Sequence, residues 1–153
     1  MKTTTTNHAG QPVALPVAGR RPLRMLLVED DFASRLVLQT FLSRFGECHI
    51  AVNGRDAVEA FREAARHGER YDLICMDIMM PFVDGIEAVR QVRALEEADG
   101  ILSSSGAKII MTTAVDDIRD VGRSYSELCD GYLVKPIDLA KLLLQMHAWN
   151  LVC

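Results

Sequence analysis

The sequence predicts a doubly wound α/β sandwich, and three observations predict it. Five short apolar runs of strand length recur along the chain. Segments with helical spacing of apolar residues lie between them. The runs are mostly apolar on both faces, so the strands belong in a parallel sheet covered on each side by helices and joined by right-handed crossovers. At 153 residues the chain suits a single core.

Residues 1–22 hold four consecutive threonines (Thr3 to Thr6) and three of the five prolines, without periodicity, and read as a flexible leader. The first strand is Arg24–Val28, and the first helix runs from Phe32 to Phe45 with Leu36, Val37, Thr40, Phe41 and Leu42 on one stripe. The second strand is Cys48–Val52, followed by a helix from Gly54 to Arg66 that turns Ala57, Val58 and Phe61 inward. The third strand is Tyr71–Met76; its helix, Gly85 to Glu97, buries Ile86, Val89, Val92 and Leu95. Asp84 stands where an N-cap is wanted, its short side chain able to accept from the helix's first free N–H groups.

The Gly/Ser-rich segment Ala98–Ala107 is a surface connection at the end of the sheet away from the strands' carboxyl ends. Then come the fourth strand, Lys108–Thr112, a weaker fourth helix over Asp116–Leu128, and the fifth strand, Gly131–Val134. The fifth helix, Asp138–Trp149, starts at an Asp138 cap and carries the stripe Leu142, Leu143, Met146 and Trp149, most of it core. The domain is expected to span 23–150, with a short tail at 151–153 and no output domain.

Composition narrows the function. Hydrophobic residues are 49% and charged residues 25%, ordinary for a globular protein. Lys+Arg number 17 against 21 Asp+Glu, so the chain lacks the basic field that direct nucleic-acid binding requires. No run of eighteen apolar residues is present and the N-terminus is polar, so neither a membrane span nor a signal peptide is expected and the protein is placed in the cytoplasm. Cys48, Cys75, Cys129 and Cys153 are scattered, without a zinc-site spacing, and read as reduced and mostly buried. His49, His67 and His147 lack acidic partners at suggestive spacing and read as structural or solvated.

Ligands of doubly wound sheets gather at the carboxyl ends of the strands. There, strand one runs into Glu29, Asp30 and Asp31, strand three into Asp77, strand four into Thr113, and strand five into Lys135 and Pro136. Carboxylates about 4 to 5 Å apart repel by roughly 1 kcal/mol per pair in water and by several times more where water is excluded. One lysine does not offset three acids, and oxygen ligation by a few carboxylates, a carbonyl and waters is what Mg²⁺ prefers. The cluster therefore predicts a divalent site from Asp30, Asp77 and a backbone carbonyl just after Asp77, with Glu29 reaching the metal through water. Metal, ammonium and hydroxyl together suit a phosphoryl group, with Asp77 as the attacking carboxylate. Capping by Asp30 or Asp31 and a plain loop role for Asp77 explain single residues but leave Lys135 and Thr113 unaccounted for.

Residues 23–150 resemble the receiver domain of bacterial two-component response regulators, of the stand-alone, chemotaxis-regulator-like kind. Four stretches carry the likeness: Leu-Leu-Val-Glu-Asp-Asp at 26–31, Met-Asp-Ile-Met-Met-Pro-Phe-Val-Asp-Gly at 76–85, Ile-Ile-Met-Thr-Thr-Ala at 109–114, and Gly-Tyr-Leu-Val-Lys-Pro at 131–136. The resemblance implies a flavodoxin-like (βα)5 fold with strand order 2-1-3-4-5. It makes Asp77 the phosphoacceptor, and Glu29 and Asp30 the acidic pair at a Mg²⁺ ion, with Mn²⁺ as an alternative. It makes the Met79 carbonyl a metal ligand and Lys135 the phosphoryl-binding ammonium. Thr113 becomes the switch hydroxyl, Tyr132 the switch aromatic and Pro136 a cis-proline, while Asp31 falls just outside the metal shell.

The implied partners are a sensor histidine kinase or histidine phosphotransfer protein and a downstream protein target, with no direct nucleic acid and no membrane. The chain is expected to be a monomer or a phosphorylation-dependent homodimer. It is expected to catalyse only its own phosphorylation and slow dephosphorylation. Phosphorylation would repack the surface made by the fourth helix, fifth strand and fifth helix. Met79 and Val115 cannot hydrogen-bond through their side chains where the family often positions a hydrolytic water, which predicts a long-lived acyl phosphate. The competing readings are a phosphorylation-independent interaction module of the same fold and a Mg²⁺-dependent phosphohydrolase of the haloacid-dehalogenase type. The latter needs a second acid where Met79 stands. A nucleotide site would need a Gly-rich loop where Glu29, Asp30 and Asp31 stand.

Overall fold

Five parallel strands in the order β2-β1-β3-β4-β5 carry the fold in a computed structural model that describes residues 21–80, 83–114 and 128–153. They are β1 (Leu23–Val28), β2 (Gly46–Ala51), β3 (Leu73–Asp77), β4 (Lys108–Thr113) and β5 (Gly131–Val134). The helices between and after them are α1 (Phe32–Leu42), α2 (Gly54–Arg66), α3 (Gly85–Ala98) and α4 (Leu139–Ala148), the last being the fifth helix expected from sequence. The expected fourth helix up to residue 127, nearly all of the leader, and Val115 lie outside the described residues.

The two-sided apolar strands divide one sheet into two cores. Alternate residues Leu26, Val28, Ile74, Met76, Ile109 and Met111 meet Val58 and Phe61 of α2 and Val89 and Val92 of α3. The opposite set, Met25, Leu27, Cys75 and Ile110, meets Leu38, Phe41 and Leu42 of α1 and Leu142 and Met146 of α4. Leu151 and Val152 pack against the second cluster. Asp31, Asn53, Asp84 and Asp138 each cap a helix by accepting from N–H groups of its first turn.

Two sequence expectations are corrected. Leu36, Val37 and Thr40 of α1 face solvent, Leu36 and Val37 each 52% exposed, whereas Phe41 and Leu42 are buried as expected and Leu38 is buried with them. Apolar residues surround this helix, so periodicity alone does not say which side the sheet covers. Strand β2 starts at Gly46, two residues before the expected Cys48, because Gly46 pairs with Leu23 so closely that a Cβ there would overlap the Leu23 carbonyl.

At the end of the sheet away from the strands' carboxyl ends, an ion network around the buried Glu96 fixes the Ala98–Ala107 connection. Arg93 donates to Glu96 Oε1 at 2.6 Å, to the Leu128 and Ala107 carbonyls and to Asp130 Oδ2, while Glu96 Oε2 accepts the Ala107 N–H at 2.7 Å. Asp130 also accepts the Ile109 N–H. The segment is thus a solvent-facing loop tied at its far end. No helix among the described residues is long and apolar enough to cross a membrane.

Candidate functional site

The carboxyl ends of β1, β3 and β5 bring four predicted residues together. Lys135, in the turn after β5, donates from Nζ to Glu29 Oε1 at 3.0 Å and to Asp77 Oδ2 at 3.1 Å. One carboxylate oxygen from each of Glu29, Asp30 and Asp77 lies within 4.8 Å of the others. Glu29 is fully buried and Asp77 4% exposed, whereas Asp30 faces solvent. The Lys135–Pro136 peptide bond is cis, as the resemblance implied.

Local structure explains the placement. Glu29 follows the last residue of β1, its N–H bonded to the Ala51 carbonyl of β2, and its Oε1 accepts the Asp31 N–H. Asp31 is drawn off to cap α1 through the Ser34 N–H at 2.8 Å, which keeps it out of the cluster. Asp77 ends β3, and its Oδ1 accepts the Met79 N–H at 3.2 Å. Gly85 passes so near that a Cβ on it would overlap the Asp77 carbonyl. Arg35, one turn into α1, donates to the Glu29 carbonyl at 3.1 Å and stands 3.5 Å from that of Asp30. Sequence reasoning did not single out Arg35; its spacing from the turn was the available signal.

Burial raises the Glu29 and Asp77 carboxyls above the usual carboxylate range, although hydrogen bonds from Lys135 hold each of them part of the way down. For Lys135, burial acts to lower the ammonium's pKa, yet the two carboxylates outweigh it and the net shift is upward. Three carboxylates against one ammonium leave an excess of two negative charges. Glu29 Oε2 is buried without a hydrogen-bond partner, Lys135 Nζ lying 3.0 Å away but not aligned to bond it. An oxygen-only donor set with excess negative charge and an unsatisfied buried oxygen fits a hard divalent cation.

The remaining predicted residues are less tightly gathered. Thr113 ends β4 at the same edge of the sheet, buried, with its hydroxyl donating to the neighbouring Ala114 carbonyl at 3.1 Å. Tyr132 pairs with Met111 in the sheet, three residues before Lys135, and is 45% exposed. Met79 is 66% exposed beside Asp77, joined to it by its backbone N–H.

Two of the predicted histidine environments are corrected. His49 places Nε2 2.7 Å from Glu47 Oε1 and Nδ1 2.7 Å from the Tyr71 hydroxyl, since residues two apart on a strand share a face. His67 Nδ1 lies 2.9 Å from the Glu63 carbonyl and 3.5 Å from its carboxylate.

A five-stranded parallel sheet thus gathers an acidic cluster and a lysine at its strands' carboxyl ends. The chain belongs to the response regulator receiver domain family, whose model matches residues 25–147. Hybrid signal transduction histidine kinase B of Dictyostelium discoideum is 35% identical over 80% of this chain and 6% of its own length. Response regulator MprA of Mycolicibacterium vanbaalenii is 33% identical over 83% of this chain and 50% of its own. The chain thus spans half or less of the length of these relatives.

Among solved structures, the receiver domain of the Saccharomyces cerevisiae response regulator SSK1, crystallised with a histidine phosphotransfer signalling protein, matches with TM-score 0.70 and 30% identity. It covers 84% of this chain and 89% of that one. The receiver domain of a Pseudomonas aeruginosa sensor histidine kinase, with a magnesium ion coordinated in its active site cleft, matches with TM-score 0.66 and 29% identity over 84% and 98%.

Proposed function

We propose that Asp77 accepts a phosphoryl group from a phosphohistidine on a sensor histidine kinase or histidine phosphotransfer protein. The observation that carries this reading is the pair of bonds from Lys135 to Asp77 and Glu29 within a buried acidic cluster. A carboxylate oxygen of Asp77 attacks phosphorus as the P–N bond of the donor breaks. The imidazole keeps that electron pair, and the product is an acyl phosphate on Asp77. Lys135, now on Asp77 Oδ2, is placed to bind an oxygen of the arriving group.

Glu29, Asp30, Asp77 and the Met79 carbonyl are the groups that would hold Mg²⁺. When bound, the ion neutralises the excess charge of the acids and of the phosphoryl oxygens. The Met79 N–H bond to Oδ1 orients the Asp77 carboxylate. Once charge arrives, the Thr113 hydroxyl leaves the Ala114 carbonyl for a phosphoryl oxygen, and the half-exposed Tyr132 turns into the space released, repacking the surface around β5 and α4. The domain's chemistry is limited to its own phosphorylation and slow hydrolysis, and it works in the cytoplasm.

The elements that carry the site also expose apolar side chains: Phe32 (68% exposed), Leu36 and Val37 on α1, and Met79 after β3. Exposed apolar surface suits a protein donor, and the SSK1 receiver was crystallised with a histidine phosphotransfer protein. The test is transfer of radiolabelled phosphate from a phosphohistidine protein. Hydroxylamine-labile label on the wild type and none on Asp77→Asn is the expected result; label that withstands hydroxylamine, or persists in Asp77→Asn, contradicts the assignment.

A further inference from the structure

We infer that Arg35 is a positioning residue that holds the β1–α1 turn in the shape that presents Glu29 and Asp30 to a cation, an inference that rests on the metal-site reading above. Arg35 is a cation at the edge of an acidic cluster, yet none of its hydrogen bonds among the described residues goes to a carboxylate. Its guanidinium donates to the Glu29 carbonyl at 3.1 Å, stands 3.5 Å from that of Asp30, and lies over the Phe32 ring at 5.6 Å from its centroid. Its own N–H bonds to the Asp31 carbonyl at 2.9 Å, so one residue reaches all three peptides of the acidic turn.

The turn needs such a tie. Glu29, Asp30 and Asp31 are consecutive acids, and Asp77 adds a fourth, so mutual repulsion favours opening the turn toward water. Asp30, the most exposed member of the cluster, lacks a bond from Lys135 and depends on the backbone for its position. Both carbonyls lie against one guanidinium nitrogen, Nη1, whose direction a planar, permanently charged group fixes where a flexible ammonium would leave it free. Cation–π contact with Phe32 holds the guanidinium plane from the solvent side. Groups that orient metal ligands without touching the ion commonly govern affinity.

The experiment has a discriminating sign. If Arg35 acts only through its charge, removing it strengthens cation binding, because a like charge has left the neighbourhood. If Arg35 acts through the turn, removing it weakens binding. Titration with MgCl2 alone, followed by amide chemical shifts, reads the affinity of the wild type, Arg35→Met, Arg35→Lys and Asp30→Asn. Met keeps apolar contact with Phe32 without the donors, and Lys keeps the charge and a donor nitrogen without the planar group that fixes its direction. We expect about tenfold weaker binding in Arg35→Met, with Arg35→Lys in between. Unchanged or tighter binding in both Arg35 variants overturns the inference, even if their thermal stability falls. Should Arg35→Met fail to fold, Arg35→Lys decides alone: weaker binding supports the clamp, and wild-type affinity overturns it. Wild type that does not bind Mg²⁺, or Asp30→Asn that binds as well as wild type, overturns the metal site itself and the clamp with it. Wild-type binding that is sensitive to Asp30→Asn but indifferent to Arg35 overturns the clamp alone.

Discussion

Two buried carboxyls facing a single ammonium make charge the governing quantity at Asp77 and Glu29. Both folded-state pKa values are raised, chiefly by burial. The unfolded chain therefore gives up these protons more readily than the folded one. Their contribution to stability is fully present below the ordinary carboxylate range and is lost as pH rises through the raised values. In chelator, Asp77→Asn should gain on wild type by about 1 kcal/mol as pH rises from about 5 to about 8, measured by urea unfolding. A gap that narrows with pH contradicts the sign. Met79 supplies a second prediction at this scale. Its thioether offers no useful hydrogen bond to a hydrolytic water, so Met79→Asn should shorten the lifetime of the acyl phosphate, about tenfold if one positioned proton acceptor is gained. Decay in the wild type as fast as in the variant would sink the idea.

At the scale of elements, the site depends on how closely backbones approach. Gly85, at the head of α3, donates its N–H to the Ile78 carbonyl at 3.0 Å and leaves no room for a Cβ beside the Asp77 carbonyl. Gly85→Ala should cost about 2 to 4 kcal/mol in urea unfolding and displace the end of β3. A cost below about 0.5 kcal/mol would show that the contact relaxes freely. Sequence pattern revealed the strands, the α2 and α3 faces and the caps at Asp84 and Asp138, because period, length and short acceptors are local signals, while the strand order came from the resemblance. It also revealed Glu29, Asp30, Asp77 and Lys135, because strand ends converge in this topology. On α1 it found Phe41 and Leu42 but took Leu36 and Val37 for core in place of Leu38, since the three are equally apolar. The Arg93–Asp130 and His49–Tyr71 bonds join residues too far apart in the chain for any pattern to announce.

For the whole molecule, a cation held at the proposed site would be linked to folding. A ligand that binds only the folded state adds about 2.7 kcal/mol at a hundred times its dissociation constant, so Mg²⁺ should raise the melting temperature of wild type but scarcely that of Asp30→Asn. Equal shifts in the two proteins would place the ion elsewhere. The thiols report on global opening: burial pushes Cys48 and Cys75 up to about 12, while Cys153 is exposed. A thiol reagent at neutral pH should label Cys153 at once and reach Cys75 only as the domain unfolds; rapid native labelling of Cys75 would contradict the two-core sheet.

The central claim, a cation-dependent phosphoacceptor at Asp77, is tested most directly by intact mass after incubation with acetyl phosphate. Wild type with Mg²⁺ should gain one phosphoryl group, and wild type with chelator or Asp77→Asn with Mg²⁺ should gain none. Folded wild type that stays unmodified with Mg²⁺, or Asp77→Asn that gains the group, would contradict the claim.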